Sequence, residues 1–329
     1  MSTLRGRGTV QGLPGWDRCA VMGVVNVTPD SFSDGGRWFD TTAAVKRGLD
    51  LVGAGARLGD GGGGVCRGRR GARGYHPPPP ETRARDLAGG GPHGGDVGGA
   101  PPRPGARGVD EDEELRRVVP VVRDLASEGV TVSVDTMRAR VAEQAVAAGA
   151  ALVNDVSGGL ADPAMVPAVA AAEVPFVVMH WRGFSQSMNS RAVYTDVVAE
   201  VVAELRDRMD AVIAGGLAPE RLVVDPGLGF AKQAEHDLAL LAHLPELRSL
   251  GRPLLVAASR KRFLGHVLAG GESSPPPARE RDAATAAVSA IAAHQGAWAV
   301  RVHEVRATAD AVRVARAVEG AHGPAGDAR

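Results

Sequence analysis

Residues 21–36 of the chain read Val21-Met-Gly-Val-Val-Asn-Val-Thr-Pro-Asp-Ser-Phe-Ser-Asp-Gly-Gly36. The valine-rich beginning predicts a buried β-strand, which ends abruptly in a loop with one amide, three hydroxyl and two carboxylate side chains. A turn needs only one or two such residues, whereas α/β proteins bind their ligands where parallel strands end. The stretch therefore predicts a ligand-binding loop, and a simple Ser/Asp turn before a helix is the alternative.

Outside a glycine-rich stretch between positions 53 and 108, the chain alternates short apolar runs with amphipathic, alanine-rich runs. Continuous apolar runs are typical of parallel strands that are buried on both faces. The predicted strands are 20–25, 130–134, 151–154, 175–179, 221–224, 253–257 and 297–302. The predicted helices are 41–52, 110–127, 138–148, 162–172, 193–214, 236–250, 279–294 and 308–318.

This alternation predicts an α/β fold, a (β/α)8 TIM barrel with an irregular second β/α unit. Seven strands are visible, so the missing one should precede Asp110. A doubly wound open sheet is the alternative, but no Gly-x-Gly-x-x-Gly follows the first strand. We expect one barrel domain over 20–319, with a flexible leader over 1–19 and a tail over 320–329.

The composition excludes several classes of function. The net charge is zero and the isoelectric point about 7.1, which indicates no nucleic-acid or anionic-membrane partner. No run is long and apolar enough to cross a bilayer, and the first residues lack the apolar core of a secretory signal. Cys19 and Cys66 have neither metal-site spacing nor a disulfide framework. We therefore expect a cytoplasmic protein.

Polar side chains follow seven of the predicted strands, where the functional residues of a barrel lie. They are Asn26, Asp135, Asn154, Asp155, His180, Asp225, Ser259, Arg260, Lys261, Arg301 and His303. One polar strand end can be explained as a helix cap, but seven that surround one mouth predict a binding site.

The chemistry of these side chains suggests two kinds of ligand. Asp135, Asn154 and Asp225 suit a flat, nitrogen-rich heterocycle, because carboxylates accept from its N–H groups and an amide both donates and accepts. Arg301 and His303, with Asn26 and the first loop, suit a phosphate or pyrophosphate with a divalent cation between.

Several of these residues also have structural alternatives. Asp225 could cap its own turn, Asp135 could cap the next helix, and Ser259 could do the same and leave Arg260 and Lys261 in solvent.

Seven segments resemble the motifs of the dihydropteroate synthase family. Besides 21–36, they are VSVDT at 132–136, LVNDVSGG at 152–159, VMHWR at 178–182, VDPGLGFAK at 224–232, ASRKRFLG at 258–265 and VRVHEV at 300–305. The resemblance covers roughly 20–53 and 96–318. It implies an enzyme that joins a dihydropterin pyrophosphate to p-aminobenzoate in folate biosynthesis and releases pyrophosphate.

The resemblance also implies residue roles. The pterin pocket would consist of Asp135, Asn154, Met179, Asp225, Phe230 and Lys261. Pyrophosphate would be held by Asn26, Arg301 and His303, with Mg²⁺ at Asn26, and p-aminobenzoate by Phe32, Arg103, Pro104 and Ser259. Catalysis would depend on Asp135, Lys261 and Arg301, which stabilise a developing pterin cation and the departing pyrophosphate. The family is typically dimeric, so we expect a homodimer through the C-terminal helices.

The second β/α unit departs from the family pattern. Family members have Glu-Ser-Thr where residues 96–105, DVGGAPPRPG, place Ala100, Pro101 and Pro102. Residues 58–67, LGDGGGGVCR, resemble a degraded copy of the same strand end at about the expected distance from Asn26. Residues 55–108 are thus expected to be either a disordered insertion with an altered loop or the product of a compensated frameshift.

This departure leaves two alternatives to an active synthase. The first is a non-catalytic pterin-binding protein, because the predicted pterin pocket is intact while the loop on the p-aminobenzoate side is changed. The second is a pterin-dependent methyltransferase domain, which would have no use for a pyrophosphate site at Arg301 and His303.

Overall fold

A computed structural model describes residues 8–25, 27, 41–60, 65–67, 110–183, 191–270 and 274–321, with only the backbone described at 58–60 and 65–67. The predicted site residues Asn26, Phe32, Arg103 and Pro104 lie outside these residues, as does most of the glycine-rich stretch.

Eight parallel strands form a closed barrel, as the sequence predicts. They are β1 (Ala20–Val24), β2 (Leu58–Asp60), β4 (Val130–Asp135), β5 (Ala150–Asp155), β6 (Phe176–Met179), β7 (Leu222–Asp225), β8 (Leu255–Val256) and β9 (Ala299–Val302). Consecutive strands of this series are neighbours, and β9 pairs with β1. A single backbone bridge between Val224 and Leu254 joins β7 to β8 and completes the circle.

The missing second strand is β2, which pairs with β1 on one side and β4 on the other. It precedes Asp110, as predicted, and it lies at the sequence that resembles a degraded strand end. A short strand, β3 (Val65–Arg67), follows it and pairs antiparallel with β4. The structure thus begins the irregular second unit with a strand in the expected place.

Helices connect the strands around the outside. They are α1 (Thr41–Gly53), α2 (Glu111–Ser127), α3 (Ala139–Ala147), α4 (Met165–Ala171), α5 (Val197–Ala214), α6 (Ala234–Ala242), α7 (Leu244–Arg248), α8 (Arg262–Ala269), α9 (Asp282–His294) and α10 (Arg306–Ala321).

Two helix predictions need correction. The predicted helix 193–214 begins only at Val197, because the Asp196 side chain caps it by accepting from the backbone N–H groups of Val198 and Ala199. The predicted helix 236–250 is broken at His243. Pro245 has no N–H to offer the Leu241 carbonyl, which accepts from the Gln295 side chain instead.

The hydrophobic core has two parts. A large outer part lies between the strands and the helices. An inner part fills the bottom of the barrel with inward-facing side chains such as Met22, Leu152 and Leu255. Val10 and Trp16, from the segment expected to be a flexible leader, pack against this inner part, and the Trp16 ring lies 5.2 Å from that of Trp298. The bottom is therefore closed, and access is from the strands' C-terminal ends.

Among the helices that the structure describes, none is long and apolar enough to span a membrane.

Candidate functional site

Four predicted pocket residues lie at the C-terminal ends of consecutive strands. Asp135 of β4 is in register with Asn154 of β5, and Met179 of β6 with Asp225 of β7. All four side chains are buried, Asp135 completely. Apolar strands lead each of these side chains to the mouth, so the fold itself brings Asp135 and Asp225 together although they are 90 positions apart.

An ion pair crosses the mouth. Arg301 on β9 donates from Nη2 to Oδ2 of Asp135 at 2.8 Å, although β2 and β1 separate their strands around the barrel. The Asp135 side chain is completely buried, and that of Arg301 is 12% exposed. A substrate in the mouth would therefore meet a carboxylate and a guanidinium side by side.

Asp225 is held in a fully buried position. Its Oδ1 accepts from the backbone N–H of Gly227 at 2.7 Å, so the predicted turn contact is present. Burial raises the pKa of this carboxyl group, against the nearby positive charges of Lys261 and Arg301. The turn contact leaves the other carboxylate oxygen to act as an acceptor for a ligand.

Lys261 precedes helix α8, and its positive charge lies near the buried carboxyl group of Asp225. Its Nζ donates to the carbonyl oxygen of Leu228 and lies 4.8 Å from the centre of the Phe230 ring. The interpretation of Lys261 as a solvated residue is therefore wrong. Arg260 is not solvated either, because it forms a two-point ion pair with Asp282 at 2.7 Å.

Ser259 and His303 form a second polar pair at the end of β8 and β9. The Ser259 hydroxyl lies 2.9 Å from Nδ1 of His303 and also accepts from the His303 backbone N–H at 3.1 Å. These two hydrogen bonds therefore join the ends of β8 and β9, two residues beyond Arg301.

An apolar patch borders these polar groups. Met179 packs with Met137 and Val156, and the partly buried rings of Phe230 and Trp181 lie against them. An apolar surface next to convergent polar groups suits the flat face of an aromatic heterocycle. Met179 and Phe230 are thus placed beside the predicted acceptors.

One strand-end residue has a structural role. Asp155 is completely buried, and it accepts from the N–H groups of Ser157 and Gly159 and from the Ser157 hydroxyl. Burial raises the pKa of its carboxyl group. It organises its own loop.

A partly buried network behind the pocket has no role in the sequence interpretation. Nζ of Lys232 lies 2.9 Å from Nδ1 of His180, whose Nε2 lies 3.0 Å from Oε2 of Glu204. Arg182 completes it by pairing with Glu204. The sequence singled out His180 as a strand-end residue, but the only sign of Lys232 was its place at the end of the motif at 224–232.

The described residues contain no group of three or more His, Cys, Asp or Glu side chains that could hold a metal ion. The predicted metal ligand, Asn26, lies outside the part of the chain that the structure describes.

Comparisons with known proteins agree on one family. The model of the pterin binding enzymes matches residues 22–73 and 82–303. The dihydropteroate synthase of Mycobacterium leprae is 48% identical over 295 residues, 89% of this chain and 91% of that protein. That of Escherichia coli strain K12 is 36% identical over 298 residues, 90% of each protein.

Solved structures agree with these relatives. The dihydropteroate synthase of Xanthomonas albilineans with 4-aminobenzoic acid superposes with a TM-score of 0.73 at 40% identity, covering 92% of this chain and 94% of that one. The Yersinia pestis dihydropteroate synthase with a sulfonamide drug complex gives a TM-score of 0.76 at 34% identity, covering 95% and 98%.

Proposed function

The chain belongs to the pterin binding enzyme family and, within it, to the dihydropteroate synthases, and from this membership we propose what each part of the mouth does. Its reaction condenses 6-hydroxymethyl-7,8-dihydropterin pyrophosphate with p-aminobenzoate to 7,8-dihydropteroate and pyrophosphate in folate biosynthesis. The observation that carries the assignment of roles is the Asp135–Arg301 pair, which places an acceptor for the heterocycle beside a cation for the leaving group.

The pterin binds between the buried acceptors and the apolar patch. Asp135 and Asp225 accept from ring N–H groups, and the amide of Asn154 both donates and accepts. Met179 and Phe230 cover the faces of the ring, and Lys261 donates to its rim. Support comes from the strand register, which sets Asp135 beside Asn154 and Asp225 beside Met179.

The pyrophosphate binds at the opposite side of the mouth. Arg301 and His303 lie two residues apart at the end of β9 and offer donors to its oxygens. In the reaction, the bond from the pterin methylene carbon to pyrophosphate breaks and a bond to the arylamine nitrogen forms, with loss of an amine proton. Asp135 stabilises the positive charge that develops on the pterin, and Arg301 stabilises the departing anion.

We propose Mg²⁺ as the metal ion, with Asn26 as its protein ligand. Mg²⁺ is commonly held by substrate phosphate oxygens and water with only one or two protein ligands, so it does not require a cage of acidic side chains. When bound, the ion neutralises part of the charge on the leaving pyrophosphate.

We place p-aminobenzoate against Phe32, Arg103, Pro104 and Ser259. Ser259 supports this assignment through its position at the rim of the mouth, where it is bonded to His303. The other three residues are assigned from the sequence resemblance alone.

The test is p-aminobenzoate-dependent release of pyrophosphate from the dihydropterin substrate by the purified full chain, with and without a chelator. We expect release only when both substrates and Mg²⁺ are present. Pterin binding by a folded chain that releases no pyrophosphate would instead identify a non-catalytic pterin-binding protein. Release that persists in chelator would contradict the metal assignment alone.

We also propose a homodimer formed through the C-terminal helices. Exposed apolar side chains of α8, α9 and α10 support it, among them Val267, Ile291 and Val314, each at least half exposed. A cytoplasmic location is proposed as well, since the spacing of the two cysteines indicates no disulfide framework.

A further inference from the structure

The loop between β7 and α6 has an unusual backbone. Gly227, Gly229 and Ala231 have φ angles of 66°, 75° and 48°, in the left-handed region. An alanine in this region is strained by about 1–3 kcal/mol, so the surroundings must hold it there. This loop carries Phe230 and begins at Asp225, so its shape sets one wall of the pterin pocket.

Lys232 holds this loop from behind. Its ammonium group donates to the carbonyl oxygens of Gly227 and Phe230, each at 3.1 Å, and to Nδ1 of His180 at 2.9 Å. An ammonium group has three protons, and this arrangement uses all of them. The side chain is buried, although lysine is almost never buried without partners.

The acceptor role of His180 fixes its tautomer. Nδ1 carries no proton because it faces the lysine ammonium, so Nε2 carries one and donates to Glu204 at 3.0 Å. Burial lowers the pKa of His180 to about 4, which keeps the ring neutral. Arg182 pairs with both Glu204 and Glu200, and this anchors the chain of contacts on helix α5.

Lys261 holds the same loop from the pocket side, through the carbonyl oxygen of Leu228. Two lysines therefore donate to the carbonyl groups of neighbouring residues in this loop. In the proposed function Lys261 also donates to the rim of the bound pterin, so its contact with Leu228 is shared with the ligand. The contacts of Lys232 do not involve the pocket and persist.

We propose that Lys232, oriented by His180 and Glu204, is a positioning residue that keeps the β7–α6 loop in its binding shape while Lys261 engages the pterin. The inference rests on the proposed function. It assigns Lys232 no contact with substrate: the lysine acts through the loop that carries Phe230 and through the turn at Asp225.

The hydrogen bonds of Lys232 to the loop should depend on pH, because burial and the surrounding charges shift the pKa of its ammonium group. Burial lowers the pKa of Lys232 to about 7. The groups that face it are Asp237 and Asp225, which raise this pKa, Lys261 and Arg182, which lower it, and the neutral His180 ring with Glu204 behind it. A neutral amine has two protons for three acceptors, so pterin affinity should weaken as the pH rises above about 7.

The first test is Lys232→Met, which keeps the length and removes the donors. We expect KM for the dihydropterin pyrophosphate to rise at least about tenfold, KM for p-aminobenzoate to stay nearly unchanged, and the pH dependence near neutrality to disappear. The control is Arg248→Met, which removes another long cation whose Nη1 donates to a carbonyl, that of Gln295, far from the mouth. An equal effect of both variants on KM would overturn the proposal.

A pair of variants at His180 keeps the test decisive if Lys232→Met does not fold. Asparagine can present an acceptor near the position of Nδ1, and glutamine can present a donor near that of Nε2. We expect His180→Asn to retain pterin affinity and His180→Gln to lose it about tenfold, because only the former keeps the acceptor for Lys232. Equal affinities would overturn the proposal.

The wild-type chain is measured in parallel. If it binds pterin and releases pyrophosphate while all the variants behave like it, the inference about Lys232 is wrong and the function stands. If the folded wild-type chain binds no pterin, the proposed function fails and the inference with it.

Discussion

Asp135 and Arg301 compensate each other's charge in a place where neither is well hydrated. Their side chains meet at 2.8 Å across the mouth, one fully buried and the other nearly so. Breaking a buried pair by removing one partner is costly, since the remaining charge is left without compensation. The pair therefore holds the two charges that the reaction needs in contact and largely removed from water.

Asp135→Asn should weaken pterin binding at least about tenfold, because an amide is a poorer acceptor for ring N–H groups and offers Arg301 no charge. Isothermal titration with the dihydropterin would measure this. Glu113→Gln is the matched control, because it removes a carboxylate from an ion pair with Arg117 on the outer helix α2. Pterin affinity that is equal in both variants would remove Asp135 from the pocket.

His180 should make the fold sensitive to acid. Its pKa is about 4 in the folded chain, against 6.5 for an ordinary histidine, so the unfolded state binds more protons between these values. Stability is therefore lost as the pH falls from about 6.5 to about 4, by at most ~1.4 kcal/mol per pH unit. The pKa of Glu204 is lowered to about 2, first by its hydrogen bond from His180, so its own contribution is lost only at more acidic pH.

Urea unfolding at a series of pH values would measure this loss. In His180→Gln the slope between pH 6.5 and 4 should flatten. The same slope in both proteins would assign the acid sensitivity to other groups.

At this scale, the sequence predicts which strand ends carry polar groups but not which groups meet. Asp135 and Arg301 are 166 positions apart, and only closure of the barrel brings them together. Lys232 could not be assigned, because a lysine in a motif carries no sign of burial. Ser259 was placed correctly at a strand end, but its bond to His303 depends on the register of two strands.

Among the elements, the β7–α6 loop has the tightest steric limits. A Cβ on Gly227 would lie 2.3 Å from the His180 carbonyl oxygen, and the φ angle there is 66°. The loop thus passes directly over the end of β6 with no room for a side chain. Gly251 has a similar φ angle of 72°, but a Cβ there would have no atom within 4 Å.

These two glycines allow a matched comparison. Gly251→Ala should cost about 1 kcal/mol of stability through backbone strain and leave activity unchanged. Gly227→Ala should cost about 1–3 kcal/mol more, since the β6 backbone must shift, and it should raise KM for the pterin substrate. Thermal unfolding and steady-state kinetics would measure both effects, and equal losses of stability would show that close approach has no part in them.

Sequence periodicity located most helices well and failed where single residues interrupt a pattern. The break at His243 follows from Pro245, whose effect is local, whereas the apolar spacing continues through it. Helix α8 was absent from the predicted set, because its eight residues give too short a pattern. Strand β2 has only three residues, and the sequence predicted it only as a missing strand before Asp110, with 58–67 resembling a degraded strand end.

For the whole molecule, the exposed apolar side chains of α8, α9 and α10 predict self-association. Ile291→Glu should convert a dimer into a monomer of 33.9 kDa, because a carboxylate would be buried at the interface. Light scattering after size exclusion would measure the mass. Val193→Glu is the control, since Val193 is 75% exposed and precedes α5, outside the three helices of the proposed interface. A monomeric wild-type chain would refute the proposed dimer.

The barrel architecture was predictable because the same pattern, an apolar strand with a polar end followed by a helix, repeats along the chain. Seven apolar strands with polar ends indicate a barrel even when the eighth is not visible. The closure of the barrel's bottom by Val10 and Trp16 was not predictable, since both lie in a short segment whose glycines and arginines resemble those of a leader. The two side chains are buried against inward-facing residues of the barrel strands, and these residues come together only when the rest of the chain folds.

The single bridge between Val224 and Leu254 makes β7–β8 the seam of the barrel. Where fewest hydrogen bonds hold neighbouring strands, amide protons should exchange with solvent first. Asp225 ends β7 and Lys261 follows β8, so a pterin bound to both residues would link the two strands that share only this bridge. Pterin binding would then slow amide-proton exchange most between β7 and β8, where the fewest backbone hydrogen bonds join the strands.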